Sequence, residues 1–443
     1  MLTINREEVG RAGLEARMGD IRALVPLAGM QGRGAAVCLR DPLDVLAAVE
    51  ALRAADVSVL LMHGDTPLAT ASQAAANAGC ELLLWGSLED SRRIRPTAHD
   101  PGASGEELGL HEPSLLQYSS GTTGGPKLIR RAWTDIDREI EAYNAALGEA
   151  AGCRPVVLAP VSHSYGLLCG VLAAMRRGIV PSVVTNANPK FALKVIEETP
   201  EHLVYAVPLL FHVMTGLMAP GSRFHRVISS GAPLPGPLFE TLRERSAHVM
   251  QQYGCTEAGC ISVARSMQSG SDLGELLGYW RLEGDAGRAS MADPAEIVVV
   301  REPDGRRIAT GDLGSAQDGH LFYAARMDDV INVGGLKVFP LEVEERIASF
   351  PGVQEAVVYR GVHPVMGETV RAKAVWAPSG AGSQTSAQGL ADDIRAWCRE
   401  GLPAYKVPSA IELVEALPRT PTGKISRRYI EQSEGRVHNE QRA

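Results

Sequence analysis

Ser119-Ser120-Gly121-Thr122-Thr123-Gly124-Gly125-Pro126-Lys127 concentrates hydroxyls and glycines directly behind an apolar lead of Leu115, Leu116 and Tyr118. Glycines let a backbone turn so that several N–H groups face one anion; Ser and Thr add hydroxyl donors, and the lysine adds charge. That is the composition of a polyphosphate cradle placed after a strand. It is not a Walker A loop, because GxxxxGK[ST] is absent: Pro126 precedes Lys127 and Leu128 follows it. Read in isolation the stretch is also a flexible Ser/Gly/Thr linker. The Pro-Lys stop and the strand before it argue for the cradle.

Around this loop the chain reads as open α/β. Apolar runs at 35–39, 57–62 and 81–85 are strand candidates, and the first two flank an amphipathic helix over 42–54. The alternation resumes with strands at 155–159, 180–184, 202–207 and 226–229 and helices near 166–177 and 189–198, the order of parallel βαβ units. Ligands favour the carboxyl ends of such strands. After Asp312 the character changes: a hairpin over 319–332, a helix over 341–349, strands at 353–360 and 370–377, a helix over 391–400 and a strand at 410–414. The Gly/Ser-rich stretch 378–389 reads as a surface loop. The expected organisation is therefore a large α/β domain over 1–325 and a small mobile α+β domain over 326–443.

Composition narrows the function. The chain has 443 residues, 45% hydrophobic and 22% charged, with a formal net charge of −8. No long Lys/Arg run is present, which argues against a nucleic-acid partner. The pairs Arg130-Arg131 and Arg427-Arg428 read as solvated surface. The polar start, Met1 to Arg11, lacks the apolar core of a signal peptide, and no apolar run approaches the roughly 20 residues of a membrane span. The seven cysteines (38, 80, 153, 169, 255, 260, 398) show no CxxC spacing and read as buried or free thiols. A cytoplasmic enzyme without a membrane partner fits.

Downstream segments turn the loop into a family signature. The chain resembles adenylate-forming enzymes: acyl- and aryl-CoA ligases, stand-alone adenylation enzymes and luciferases. Tyr253-Gly254-Cys255-Thr256-Glu257 is similar to that family's YGxTE segment and Thr310-Gly311-Asp312-Leu313 to its TGD segment. Arg326-Met327-Asp328-Asp329 with Val333-Gly334-Gly335-Leu336-Lys337 resembles the interdomain hinge and the loop after it. Pro421-Thr422-Gly423-Lys424 resembles the catalytic-lysine motif. All occur in the family's order across residues 119–424.

The resemblance implies roles, each beside a plainer reading. Lys424, otherwise a surface lysine, would stabilise the charge developing as carboxylate and α-phosphate approach. Glu257, otherwise a carboxylate at a helix N-terminus, would hold Mg²⁺, and Thr256 would contact the α-phosphate. Ser119, Ser120, Gly121, Thr122, Thr123, Gly124 and Lys127 would hold the ATP phosphates. Tyr253 would stack on adenine with Gly231, Ala232 and Pro233 on its other side. Asp312, otherwise a turn residue, would accept both ribose hydroxyls, with Arg326 nearby. Asp328 would be the hinge between half-reactions, and Gly335 and Lys337 would border the path of a pantetheine thiol. His163, Ser164 and Tyr165 would line the acyl pocket, although a lone His near an apolar helix is often only a packed residue.

The implied reaction is ATP-dependent activation of a carboxylic acid to acyl-AMP, then transfer to the thiol of coenzyme A or a carrier protein. No carboxylate stands in the His163–Gly166 segment to pair with an amino-acid ammonium. Lys127-Leu128-Ile129-Arg130-Arg131 is similar to aryl-acid ligases, so an aryl or small acyl acid is expected. Relatives that take 2-hydroxybenzoates carry Asn where this chain has Ser164, which points away from those acids. A one-step adenylating enzyme and a luciferase-type oxygenase remain alternatives, and a homodimer is left open. Two spans are short for the family: the chain before residue 119 and the interval from Glu257 to Asp312.

Overall fold

The run Gly34–Leu39 (GAAVCL) forms a strand buried at every position, as a strand covered on both faces of a parallel sheet must be. It pairs in parallel with Ser58–Leu61 on one side and Cys80–Arg93 on the other. Ser114–Tyr118 continues the sheet in parallel beyond Ser58–Leu61, and Leu128–Ala132 closes its five strands antiparallel. Helix Pro42–Arg53 links the first two strands. Its start is set by Asp41, whose side chain accepts from the N–H groups of Leu43 (2.8 Å) and Asp44 (3.1 Å), with Pro42 at the first helical position.

The computed structural model describes residues 1–24, 30, 33–94, 112–119, 127–363, 367–376, 387–419 and 425–440. Two units are distinguished: Met1–Gly231 with Leu242–Met267 and Gly274–Trp280, and Ala232–Thr241 with Gln268–Leu273 and Arg281–Ala443. In the first unit a second sheet places Ser182–Val183, Arg154–Val157, His202–Ala206, Phe224–Ser229 and Ser246–Cys255 side by side, all parallel. Gly259–Ala264 returns antiparallel to Ser246–Cys255, making a hairpin whose turn is residues 256–258. At the other edge Leu2–Ile4 pairs in parallel with Ser182–Val183 and antiparallel with Glu7–Val9.

The second unit carries the antiparallel strands Ala295–Arg301, Arg307–Gln317 and His320–Arg326. A 3₁₀ turn, Met327–Asp329, leads into a five-stranded sheet ordered Leu336–Val338, Ile331–Val333, Gly367–Trp376 and Val353–His363, with Ala410–Val414 parallel to Gly367–Trp376. Helices Pro340–Ala348 and Ala387–Gly401 cover one core through Val343, Ile347, Leu390, Ile394 and Cys398, against Ile331, Val358 and Val370.

Most expected elements are present, several with altered limits. The strand at 81–85 runs Cys80–Arg93, and of 180–184 only Ser182–Val183 joins the ladder. The hairpin over 319–332 instead joins Arg307–Gln317 to His320–Arg326 and turns at Asp318-Gly319, both at positive φ. The helix near 166–177 is π-helical over Tyr165–Leu172 before Ala173–Arg176 becomes α. It lies so close to Arg154–Val157 that a Cβ at Gly170 would meet the Val157 side chain at 2.9 Å. Of the proposed loop 378–389, residues up to 386 lie outside the described residues, while Ala387–Gly389 already belongs to helix Ala387–Gly401. Helices Arg11–Leu24, Trp133–Ala146 and Arg427–Glu440 have no counterpart in the sequence reading. Arg427–Glu440 buries only Ile430 among its described side chains, too weak an apolar stripe to announce a helix.

The surface reading of the arginine pairs fails for one member of each. Arg131 is 5% exposed and ion-paired with Glu139, and Arg427 is ion-paired with Glu344 and Asp329. A local pair of basic residues carries no sign of a carboxylate brought in from elsewhere in the chain. The cysteines are free thiols, all buried except the half-buried Cys255. No helix among the described residues is long and apolar enough to cross a membrane.

His202 gives this fold a pH dependence. Buried in its strand, it places Nδ1 2.8 Å from the Thr199 carbonyl, while Nε2 accepts the His225 N–H at 2.8 Å. Both ring nitrogens are thus spent in the neutral form, and burial lowers its pKa, with His225 adding to the effect. A His with a depressed folded pKa contributes stability above its unfolded value of about 6.5 that is lost as pH falls below it. The thermal midpoint is expected to drop between pH 7 and 5 by more in the wild type than in His202→Gln; equal drops in a pH series of melts count against His202 as a source.

Candidate active site

The parallel strands of the first unit deliver candidate residues at their carboxyl ends, where open α/β sheets bind ligands. Arg154–Val157 leads to His163, Ser164 and Tyr165, Phe224–Ser229 leads to Gly231, and Ser246–Cys255 carries Tyr253 and runs into Thr256 and Glu257. The Tyr165 hydroxyl donates to the Ile228 carbonyl at 2.6 Å, fastening its segment to the end of the Phe224–Ser229 strand. That hydroxyl is committed, so what Tyr165 offers a ligand is its ring. Burial holds it protonated, its pKa well above the ordinary tyrosine value.

From the five-stranded sheet the same unit contributes Gln117, whose Oε1 accepts from Ser164 Oγ at 2.5 Å. His63 follows the Ser58–Leu61 strand, its ring centroid 6.3 Å from that of His163. Its Nδ1 accepts the Asp65 N–H at 3.2 Å. Neither Gln117 nor His63 is among the sequence candidates. The available signal was their position at the carboxyl ends of two adjacent parallel strands. Both ends of the candidate phosphate loop adjoin strands of this sheet: Ser119 N–H donates to the Lys127 carbonyl at 2.9 Å. Ser120, Gly121, Thr122, Thr123 and Gly124 lie outside the described residues.

Glu257 is not at a helix N-terminus, the plainer reading of it, but in the hairpin turn after Ser246–Cys255. Its partly exposed carboxylate makes no hydrogen bond or ion pair with another described residue. One carboxylate at a strand end suits Mg²⁺, which usually takes one or two carboxylates, substrate phosphates and water. Among the described residues no cluster of three or more His, Cys, Asp or Glu side chains forms a protein-only metal cage.

The second unit holds the other candidates. Asp312 and Arg326 are cross-strand partners, joined by Arg326 Nη1 to Asp312 Oδ1 at 2.8 Å, and the same nitrogen donates to the Thr310 carbonyl at 3.2 Å. Asp312 N–H donates to Thr310 Oγ1 (3.1 Å), and Thr310 Oγ1 donates to the Ile297 carbonyl (2.8 Å), so the aspartate sits on a preset backbone. Ala232 and Pro233 follow Gly231 without regular structure. Gly334 and Gly335 form the two-residue turn between Ile331–Val333 and Leu336–Val338 with φ of 59° and 92°. A turn with two positive φ values is reason enough for glycine there. Lys337 is exposed on the second of these strands, and Lys424 lies outside the described residues.

Asp328 occupies a short stretch between two anchors. Arg326 is tied to Asp312 on its amino side. On its carboxyl side Asp329 accepts from Arg427 Nη1 at 2.8 Å. Arg427 Nη2 also donates to both Glu344 oxygens (2.7 and 2.9 Å) and its Nε to the Val358 carbonyl (3.0 Å). Arg360 Nη2 donates to the Asp328 carbonyl at 2.6 Å. The lysine-motif segment is bracketed in turn by an antiparallel bridge between Arg419 and Ile425, two residues before Arg427.

Residues 24–315 match the family described as AMP-binding enzyme and residues 342–424 its C-terminal domain. A 3,4-dihydroxybenzoate–[aryl-carrier protein] ligase of Bacillus anthracis is 45% identical over 434 residues, covering 98% of this chain and 99% of the relative. The two spans that are short for the family therefore do not set this chain apart in length from that relative. A 2-succinylbenzoate–CoA ligase of Bacillus velezensis is 26% identical, over 89% of this chain and 82% of its own. Among solved structures, ATP-bound MatB from Rhodopseudomonas palustris superposes with a TM-score of 0.79 at 18% identity, covering 98% of this chain and 95% of the other. At that identity the likeness speaks for the fold.

Arg427 gives this region a testable load. Arg427→Met leaves Glu344 and Asp329 without their shared cation. With the Arg427 side chain 24% exposed, the cost is expected to be about 2 kcal/mol, below that of a fully buried pair. Urea unfolding followed by tryptophan fluorescence reads it. Arg427→Lys, which cannot serve both carboxylates in a fixed fork, should recover less than half.

Proposed function

Because the chain belongs to the AMP-binding enzyme family, we propose that its acid is an aryl acid of the 3,4-dihydroxybenzoate type and its acceptor the phosphopantetheine thiol of a carrier protein. The protein is an ATP-dependent acid–thiol ligase. In its first step a carboxylate oxygen attacks the α-phosphorus of ATP, forming acyl-AMP and expelling pyrophosphate. In the second, a thiolate attacks the acyl carbonyl and AMP leaves.

The 45% identity to the aryl-carrier-protein ligase, continuous over 98% of this chain, carries the reading. Ser164 agrees with it, since 3,4-dihydroxybenzoate has no hydroxyl beside its carboxylate for an Asn to read. In this reading Ser119 to Gly124 and Lys127 hold the phosphates, Thr256 the α-phosphate, and Tyr253 with Gly231, Ala232 and Pro233 the adenine. Asp312, its carboxylate 7% exposed and fixed by Arg326, accepts the ribose hydroxyls. Mg²⁺, when bound, neutralises charge between phosphate oxygens, and Glu257 is the residue that would hold it. His163, Ser164 and Tyr165 face the acyl group, with Gln117 setting the Ser164 hydroxyl.

Residues 326–443 act as the mobile domain. Its pivot is confined to Met327-Asp328, because Arg326 is tied to Asp312 and Asp329 to Arg427. Turning there exchanges Lys424, used for adenylation, for the Gly335 turn and Lys337 on the strand after it, used for thioester formation. A cytoplasmic location and a homodimer complete the proposal.

Pyrophosphate exchange over 3,4-dihydroxybenzoate, 2-hydroxybenzoate, benzoate and an α-amino acid tests the substrate, followed by coenzyme A against a carrier protein with the best acid. The first acid and the carrier protein should be preferred; stimulation by amino acids alone would refute the reading. Lys424→Ala should slow adenylate formation by about 10²-fold or more, while thioester formation from supplied acyl-AMP persists.

A further inference from the structure

Arg131 and Glu139 form a buried ion pair, 5% and 2% exposed, that no step of the reaction requires. Arg131 lies on Leu128–Ala132, the strand leaving the phosphate loop, and Glu139 on helix Trp133–Ala146. The pair reaches a third place in the chain. Glu139 Oε1 accepts the Cys260 N–H at 2.8 Å, at the base of the hairpin whose turn bears Thr256 and Glu257. The Cys260 carbonyl is taken from the other side by Trp280 Nε1 at 3.0 Å. Both polar groups of one peptide segment are thus held by side chains, next to a register irregularity between Tyr253 and Gly254 where the ladder itself holds less.

The fit is steric as well as polar. Gly259 has φ of 77°, and a Cβ there would collide with the Glu139 carboxylate and the Arg131 guanidinium. Across the hairpin, a Cβ at Gly254 would collide with the Gly259 carbonyl. Arg131 Nη1 is buried and finds no acceptor among the described residues. A buried guanidinium left partly unsatisfied is poor value for stability, and apolar residues of like volume would serve the core better. Its return is a fixed geometry.

We propose that Arg131 and Glu139 are positioning residues that set the Thr256–Glu257 turn against the strand leaving the phosphate loop, so that phosphate contacts and the Mg²⁺ carboxylate are held in one frame. This rests on the roles assigned above to Thr256 and Glu257. Neither Arg131 nor Glu139 touches a substrate.

The test is pyrophosphate exchange with 3,4-dihydroxybenzoate, titrating MgATP, free Mg²⁺ and acid separately. Glu139→Leu should raise the KM for MgATP and the half-saturating Mg²⁺ by about tenfold, the scale of one lost charge-assisted hydrogen bond, and leave the KM of the acid unchanged. Arg131→Met with Glu139→Gln, whose amide oxygen still accepts from Cys260 N–H with no buried cation competing for it, should recover most of this. A parallel rise in both KM values, a fall in kcat matching the loss of folded protein, or no rescue by Gln overturns the proposal. Should Glu139→Leu not fold, Arg131→Met with Glu139→Leu leaves no buried charge and still removes the side-chain acceptor of the Cys260 N–H. It should show the same selective rise, and a wild-type KM for MgATP overturns the proposal. Glu257→Gln separates the two failures: if it leaves the Mg²⁺ dependence unchanged the metal role falls, whereas a normal Glu257 effect without a Glu139 effect removes only the positioning role. If the wild type does not exchange with 3,4-dihydroxybenzoate, the substrate reading fails and MgATP affinity by calorimetry decides between the same variants.

Discussion

A loop built of glycine and hydroxyl side chains has nothing apolar to bury, so its place in a protein is fixed by what holds its ends. Ser119 and Lys127 meet through a backbone hydrogen bond between two antiparallel strands. Arg419 and Ile425 meet through a bridge around the lysine motif. Beyond each pair of ends comes an arginine spent on carboxylates, Arg131 on Glu139 and Arg427 on Glu344 and Asp329. The described residues flanking both motifs are thus anchored by sheet ends and ion pairs.

The parallel sheet of the first unit adds a second constraint. Buried strands leave their side chains to the core, so only the strand ends are free to present polar groups. Arg154–Val157, Phe224–Ser229 and Ser246–Cys255 each end in a candidate segment. The Tyr165 hydroxyl and Gln117 then tie those segments to neighbouring strands. In the second unit an antiparallel pair does comparable work, with Asp312 and Arg326 facing each other in register.

Much of the fold was legible in the sequence, because apolar runs such as Ala35 to Leu39 announce buried strands, whereas residues 120–126 of the candidate anion loop lie outside the described residues. Less visible were contacts that join distant segments. Leu2–Ile4 pairs with Ser182–Val183 across the sheet edge, and three apolar-leaning residues near a terminus give no hint of that partner. Arg131 and Arg427 look like surface from their neighbours because their carboxylates lie 8 and 83 or more residues away. His63 stands beside His163 only because two sheets bring their strand ends near one another. The π-helical start at Tyr165 escapes any periodicity argument, since its eight residues are apolar on every face.

The packing around Gly254 and Gly259 also bears on how such an enzyme diversifies. With a carbonyl, a carboxylate and a guanidinium closing over the two positions, the hairpin that bears Thr256 and Glu257 has no room for a side chain at either. Ser164, Gln117 and His63 are under no such limit: each is a side-chain contact between separate segments and is replaceable one residue at a time. Under the roles proposed for these segments, contacts to the acid are open to change by single substitutions, whereas positions 254 and 259 are closed to any side chain. With the acyl pocket where it is proposed, libraries aimed at new acids belong at the ends of the Ser58–Leu61 and Ser114–Tyr118 strands, whose Gln117 and His63 adjoin Ser164 and His163.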